Sequence, residues 1–518
     1  MRSRRSGKRS RDPFERELER VKRSIAADQF EKALCLLQRM EEQAGLFPEE
    51  RLFELHELMG QLFYWLADLK EALPHLRLAW ELPREDRTAR LAALSDYLMY
   101  LHYAEGVSDE ELREAHTAYA AMMGAVPQFT HAKRQQKKLR IGYLSPNLTD
   151  HIVLNFAIQL FSSYDRARFE VYLYDTGTLR SEITDWVAGM ADHSVDLSKL
   201  APKEAAERIY ADEVDILFDL AGHSAGGRTL QIAAYKPAPV QLSGIGYFDT
   251  TGLSAMDYVL GDPVCDPPGM EALFSEQILR LPKTHLCYTP SERFRVYENL
   301  SRAPHAPIVF GSFNNFAKIT DEMLGLWAEI LRRAPHARLL LKNVHPRKDT
   351  LRRMQVRAEH AGIDPARMEL RPGTKDYLRD YLDVDIILDT HPYPGGGTTC
   401  EALCMGLPVV TMAGTRHGAR FGASLLHNAG LGELVADDGD RYVERAVGLA
   451  HDPELLTALH AAIPRMMRAS PLMDGAGYVR AVEAAYEMIW ERYLNEETQQ
   501  EPCRAHAQKA CAAGRKTT

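Results

Sequence analysis

Long apolar runs are missing from this sequence. No stretch of its 518 residues offers the roughly 20 consecutive apolar residues that a membrane-spanning helix needs, so no membrane span is expected. The N-terminal "MRSRRSGKRSR" is basic, but no apolar segment of about 7–15 residues follows it, which excludes a secretory signal. Cysteine is sparse and odd in number, seven in all. Cys400 and Cys404 lie within one apparent helix and Cys503 and Cys511 in a polar tail, neither pair in a zinc-site context, so reduced thiols in a cytoplasm are expected. Excess positive charge is also absent: the net charge is −9, which argues against a general nucleic-acid binder and makes the basic N-terminus a solvated tail.

What is present is a globular composition, 45 % apolar and 26 % charged, in a chain too long for one core. Residues 1–14 read as a basic flexible tail. From 15 to 135 no strand pattern appears, and apolar residues recur at helical spacing, as in "FEKALCLLQRM" and "LFELHELMGQLFYWLADLKEALPHLRLAWELP". The second stretch sets Gly60 and Tyr64 on one helix, Ala72 on the next and Pro83 after it, an order that resembles a tetratricopeptide repeat; an ordinary helical bundle is the alternative.

At "KRQQKKLRIGYLSPN" the pattern changes. Short, nearly continuous apolar runs now alternate with helical ones: "RIGYLS", "FEVYLYD", "VDILFDLAG", "VQLSGIGY", then "IVFGSFN", "RLLLKN", "DIILDT" and "PVVTMAG". Strands buried on both faces of a parallel sheet look like this. Two series separated by the polar "PSERFRVYENLSRAPHAP" predict two doubly wound α/β domains, 136–300 and 301–495, facing each other across a cleft, with 496–518 as a flexible tail.

In "DTHPYPGGGTTCEALCMG" a strand's end passes through Gly395, Gly396 and Gly397 into a helix. Glycines admit close backbone approach, and Thr398 and Thr399 add hydroxyls to the free amides of a helix N-terminus, together an anion site suited to phosphate. The turn reads neither G-x-G-x-x-G nor a P-loop with its lysine, so neither a dinucleotide fold nor an NTPase follows, and a purely structural loop is the alternative. A second turn, "FGSFNNFAKIT", places Asn315 and Lys318 beside a strand end, where an ammonium suits a phosphate as a point charge. Asparagines at a tight turn and a solvated lysine are the bland readings of the same residues.

Beyond these turns, "LRIGYLSPN", "DLAGHSAGGR", "KPAPVQLSGIGYFDTTGLSAMDY", "LPKTHLCYTPS", "LDTHPYPGGGTTCEALCMGLPVVTMAG" and "SLLHNAGLGELVA" occur in the order of the protein O-GlcNAc transferase family. From about 139 to 495 the chain resembles that family's catalytic region, including its SPINDLY branch of protein O-fucosyltransferases, and the helical N-terminus resembles a short repeat array. The resemblance implies a metal-independent, inverting glycosyltransferase of the two-Rossmann (GT-B) type, without a cofactor. Its donor would be UDP-GlcNAc or GDP-fucose, and its acceptor a protein or peptide, engaged in part by the N-terminal helices.

Carried over by position, Lys318, Thr398 and Thr399, with Gly396 and Gly397, would hold the diphosphate. Asn315 stands where O-GlcNAc transferases have a glutamine, and Glu401 is the candidate for the ribose hydroxyls or a partner of its own helix dipole. His151 matches the histidine once assigned as the base, and an ordinary pKa near 6.5 suits that task, with sugar or peptide positioning as the alternative. His223 could face the same cleft or cap a helix in the core. Arg420 matches an O-GlcNAc transferase position. Tyr377 and Gly397 replace family histidines, which leaves the nucleotide and sugar open. Transfer to asparagine or a small acceptor, and an inactive repeat scaffold, are the competing functions.

Overall fold

A computed structural model describes residues 12–135, 137–297 and 303–513, with side chains up to residue 495. The helical part comprises Pro13–Ala26, Phe30–Glu41, Glu49–Trp65, Leu69–Glu81, Arg87–Leu101 and Asp109–Met123. Each helix packs on the next in sequence. Asp12, Asp68, Asp86 and Ser108 cap four of them by accepting first-turn amides, which satisfies donors a helix otherwise leaves free. Gly60 allows the closest approach: a Cβ there would lie 2.5 Å from Cγ of Leu76 on the following helix. The first helix starts at Pro13, inside the expected tail, because Asp12 and Pro13 form a strong start signal; residues 1–11 lie outside the described residues.

Two parallel sheets follow. The first contains β1 Leu139–Ser145, β2 Phe169–Asp175, β3 His193–Asp196, β4 Ile216–Asp219, β5 Val240–Ser243, β6 Tyr258–Gly261 and β7 Gln277–Arg280, in spatial order β3-β2-β1-β4-β5-β6-β7. The second contains β8 Val309–Ser312, β9 Arg338–Lys342, β10 Met368–Arg371, β11 Ile386–Leu388, β12 Val409–Met412 and β13 Val435–Ala436, ordered β10-β9-β8-β11-β12-β13. Both are doubly wound, as expected, with strand order reversing between β1 and β4 and between β8 and β11. Ligand crevices open at such reversals, beyond the carboxyl ends of the strands.

Two boundaries differ from the sequence reading. The last helix, Gly475–Ala513, leaves the second domain and packs on the first: Tyr486 donates to Tyr143 at 3.2 Å, and Tyr478 to the His285 carbonyl at 3.0 Å. The chain order that places residues 475–495 after the second sheet says nothing of where an amphipathic helix finds its apolar partner. The same helix is continuous through Ala513, into the stretch read as a tail, where Glu, Gln and Ala favour helix.

The helices are also not a separate body. Leu94, Leu98 and Tyr119 share a buried cluster with Leu230, Ala233 and Met256 of the first domain. On the other side Arg353 of the second domain pairs with Glu31 at 2.7 Å and Asp68 at 2.9 Å. The helical layer thus bridges both sheet domains from outside.

Candidate active site

A cavity of about 440 Å³ lies between the two sheet domains. From the first domain it receives His151, Ile152 and Asn155, which follow β1. The second domain supplies residues at four consecutive strand ends: Phe313–Asn315 and Lys318 after β8, Lys342–Val344 at β9, Gly373, Thr374 and Tyr377 after β10, and Gly396–Thr398 with Glu401 after β11. The two turns singled out in the sequence flank the reversal between β8 and β11.

One buried carboxylate shapes the glycine turn. Asp389, at the end of β11, accepts from the Gly395 amide at 2.7 Å, the Thr390 amide at 2.9 Å and Asn314 Nδ2 at 3.0 Å through one oxygen, and from Thr411 Oγ1 at 2.7 Å through the other. Asn314 in turn accepts from Thr398 Oγ1 at 2.6 Å. The Thr398 hydroxyl therefore ties the two turns together rather than standing free. A Cβ on Gly395 would sit 2.2 Å from that hydroxyl oxygen and 2.7 Å from Asn314 Oδ1, so only glycine fits. The helix Gly397–Cys404 that begins here has no side-chain cap. Its first amides are left for an anion, with the positive end of the helix dipole behind them.

Lys318 lies against this turn. Its ammonium is 3.3 Å from the Pro394 carbonyl and stands over the rings of Tyr393 (4.7 Å) and Tyr103 (5.6 Å), the latter from the helical layer. Burial pulls its pKa down to about 8, opposed by the Asp389 charge. A cation with one long hydrogen bond between two aromatic faces is under-neutralised, which favours an anion in the cavity. Asn315 accepts from the Ala317 amide and donates to Tyr64 of the helical layer at 3.0 Å.

Glu401 is buried, and the Tyr377 and Tyr381 hydroxyls donate to its two oxygens at 2.5 and 3.1 Å. Burial pushes it up to about 7 although both hydroxyls favour the carboxylate. A carboxyl that ionises later in the folded than in the unfolded chain binds an extra proton between its ordinary pH of 4.5 and 7, so its contribution to stability declines as pH rises through that window and is gone above it. Glu401→Gln keeps the neutral form. It should raise the unfolding free energy at pH 8 by roughly 3 kcal/mol and leave it nearly unchanged at pH 4.5. Equal effects at both pH values in urea titrations would contradict this.

His151 caps the helix Ile152–Ser162 at the cavity mouth, its Nδ1 accepting from the Val153 amide at 3.3 Å. Desolvation holds its pKa below the ordinary value, against the pull of Asp150. With Nδ1 engaged as an acceptor, the neutral ring carries its proton on Nε2 and offers a donor to the cavity, not a lone pair. Thr399 is buried in the first turn of its helix and does not line the cavity.

Two expected residues are elsewhere. His223 is fully buried under the helical layer, with Nδ1 3.0 Å from Ser95 Oγ and Nε2 2.9 Å from the Thr251 carbonyl. Both nitrogens are occupied, and burial holds the ring neutral. The helices cover the loop after β4, which turns a cleft candidate into a core residue. Arg420 spends its guanidinium on the Val264 carbonyl at 3.0 Å and the Gly414 carbonyl at 2.9 Å, joining the two domains away from the cavity. Sequence reasoning missed Asp389, Asn314 as the link between turns, and Asn155, Lys342 and Asn343. The only signal for Asp389, Asn314, Lys342 and Asn343 is their position at strand ends, which many residues share, and Asn155 lies within the helix Ile152–Ser162 with no signal of its own.

The sequence pattern of glycosyl transferase family 41 matches residues 121–299 and 289–482. The chain belongs to this family. Among its family 41 relatives, the tomato (Solanum lycopersicum) protein named probable UDP-N-acetylglucosamine–peptide N-acetylglucosaminyltransferase SPINDLY is 37 % identical over 410 residues, 77 % of this chain and 44 % of that one. The Arabidopsis thaliana protein of the same activity name called SEC is 27 % identical over 402 residues, 74 % of this chain and 41 % of that one. The chain thus spans less than half the length of these relatives. A solved O-GlcNAc transferase from Thermobaculum terrenum, a lysine-to-methionine mutant, superposes with a TM-score of 0.81 at 31 % identity, covering 92 % of this chain and 90 % of that one. The two-Rossmann arrangement of a GT-B glycosyltransferase is borne out. No described helix is long and apolar enough to cross a membrane.

Proposed function

We propose that this chain transfers a sugar from a nucleotide-sugar donor to serine or threonine hydroxyls of a protein or peptide acceptor, with inversion. The observation that carries this is the cavity at the β8/β11 reversal, where an under-neutralised Lys318 and an uncapped helix N-terminus converge on one space that also has room for a nucleoside and a sugar. The acceptor oxygen bonds to the anomeric carbon as the bond to the diphosphate oxygen breaks, through a transition state with oxocarbenium character. Lys318 and the amides of Gly397 and Thr398 take up the charge left on the diphosphate, the work a metal ion would otherwise do. His151 donates from Nε2 to the sugar or diphosphate, and the acceptor proton passes to water or to the departing phosphate. Glu401 and Tyr377, which line the same cavity, would meet the nucleoside.

The acceptor side is the larger cavity, about 650 Å³, between helical layer and second domain. Tyr103, Ala317 and Ile319 line it beside the Lys318 segment, so this groove would hold chain flanking the reacting hydroxyl, which itself enters the donor cavity.

UDP-GlcNAc and GDP-fucose are the two donors in question, and the turn at Gly397 differs from the O-GlcNAc transferase pattern beside the diphosphate site. Gly397 stands where O-GlcNAc transferases carry a histidine, and a Cβ there would lie 2.3 Å from Ile152 Cδ1. A larger side chain there would have to displace the exposed Ile152 side chain. Calorimetry with UDP-GlcNAc and GDP-fucose, followed by mass spectrometry of a protein acceptor, tests the reading. Binding of one donor and the matching mass increment on serine or threonine are expected. Binding of neither nucleotide sugar would leave the scaffold reading, and modification of asparagine would replace the acceptor class.

A further inference from the structure

Away from the donor cavity, the two sheet domains meet around three buried groups that the proposed reaction does not use. Cys265 and His285 come from the first domain and His417 from the second, and a ligand atom from each lies within 4.8 Å of the others. The rings meet edge to face with centroids 4.8 Å apart. Each imidazole is held by a buried carboxylate through Nδ1: His285 by Asp262 at 2.5 Å and His417 by Asp266 at 2.9 Å. That leaves Nε2 as the free nitrogen of each ring, and His285 Nε2 is buried without any hydrogen-bond partner. A polar atom so placed is costly unless something completes it.

We propose that Cys265, His285 and His417 bind one divalent transition-metal ion, zinc by the chemistry of the donor set, pinning the two domains together. One thiolate and two imidazoles are a zinc set, and a carboxylate behind each imidazole is the arrangement that fixes the ring and raises its basicity. A bound cation takes Cys265 as the thiolate. The charges then balance: two carboxylates and a thiolate against a divalent ion and the nearby Arg420 guanidinium. The three ligand atoms, within 4.8 Å of one another, would draw together to reach metal–ligand distances near 2.0–2.3 Å.

Two other buried or half-buried clusters are poorer. In His102, His116 and Asp249 both His116 nitrogens are occupied, by the Leu112 carbonyl and the Tyr247 hydroxyl. Glu41, His56 and His75 offer no sulfur.

The test is the full chain produced with cobalt in the growth medium, and separately with zinc. About one cobalt per chain is expected, with a near-ultraviolet thiolate-to-cobalt charge-transfer band that disappears in Cys265→Ser. Asp266→Asn should fold and bind zinc about 10–100-fold more weakly in competition with a chromophoric chelator. Metal without the thiolate band, a band that persists in Cys265→Ser, or no metal at all would overturn the proposal. If Cys265→Ser fails to fold, the wild-type band and the Asp266→Asn affinity still decide it. None of the three ligands lines the donor cavity, so these readouts stand whether or not the chain transfers sugar.

Discussion

Lys318→Met is expected to leave a folded protein that binds donor and barely turns it over. If the ammonium stabilises charge developing on the diphosphate, its loss costs about 10²–10³-fold in turnover, roughly 3–4 kcal/mol, the scale of one oxyanion donor. Methionine matches the lysine stem in shape and removes a charge whose one hydrogen bond is 3.3 Å long, so stability should hold or rise. That opposition separates function from structure, because a merely structural lysine would lower both together.

The pH dependence has a defined sign. Lys318 is held at about 8 against an ordinary 10.5. Between those values the unfolded chain keeps a proton that the folded chain has lost, so this lysine's cost to the fold fades as pH rises. Donor affinity should move the other way and fall as pH passes through about 8, and Lys318→Met should abolish that fall. Steady-state transfer, calorimetry at pH 7 and 9, and urea unfolding supply the readouts. Unchanged turnover in a folded variant would place the lysine outside the chemistry.

Asp389→Ala should be the most damaging single change to the site's architecture. It removes the acceptor for the Thr390 and Gly395 amides, Asn314 Nδ2 and Thr411 Oγ1, all near residues almost without solvent access. Leaving several buried donors unsatisfied costs about 1–3 kcal/mol each, and partial relaxation makes a net loss of about 3–5 kcal/mol reasonable. The turn at Gly395 loses its anchor at the same time, so donor binding should fail even under conditions where the variant remains folded. Urea unfolding and donor calorimetry on the same preparation check both effects. A loss below about 1 kcal/mol with donor affinity intact would mean the turn is held by its glycines alone.

The sequence by itself determined the switch from helices to alternating strands near residue 139, most of the central strands, and the two turns at a strand end that carry Asn315, Lys318 and Gly395–Thr398. These are legible because strand burial, helix periodicity and glycine turns are written in neighbouring residues. The five strands it missed have four residues or fewer: β3, β7, β10 and β13 lie at sheet edges, and the interior β6 is a buried run of four, too little pattern to read. Only the tertiary structure decided what each side chain does. His223 and Lys318 both follow strand ends, yet the helical layer buries the first under Ser95, while the second sits between Tyr103 and Tyr393 facing the cavity. Arg420 keeps its family position and finds the Val264 carbonyl, 156 residues away, instead of the cavity. Asp389 acts on Asn314 and Cys265 meets His417 across similar gaps, 75 and 152 residues. Local preference cannot specify such pairs. They form when whole elements dock to bury their apolar faces, and the polar groups at the seams take the partners that docking leaves them.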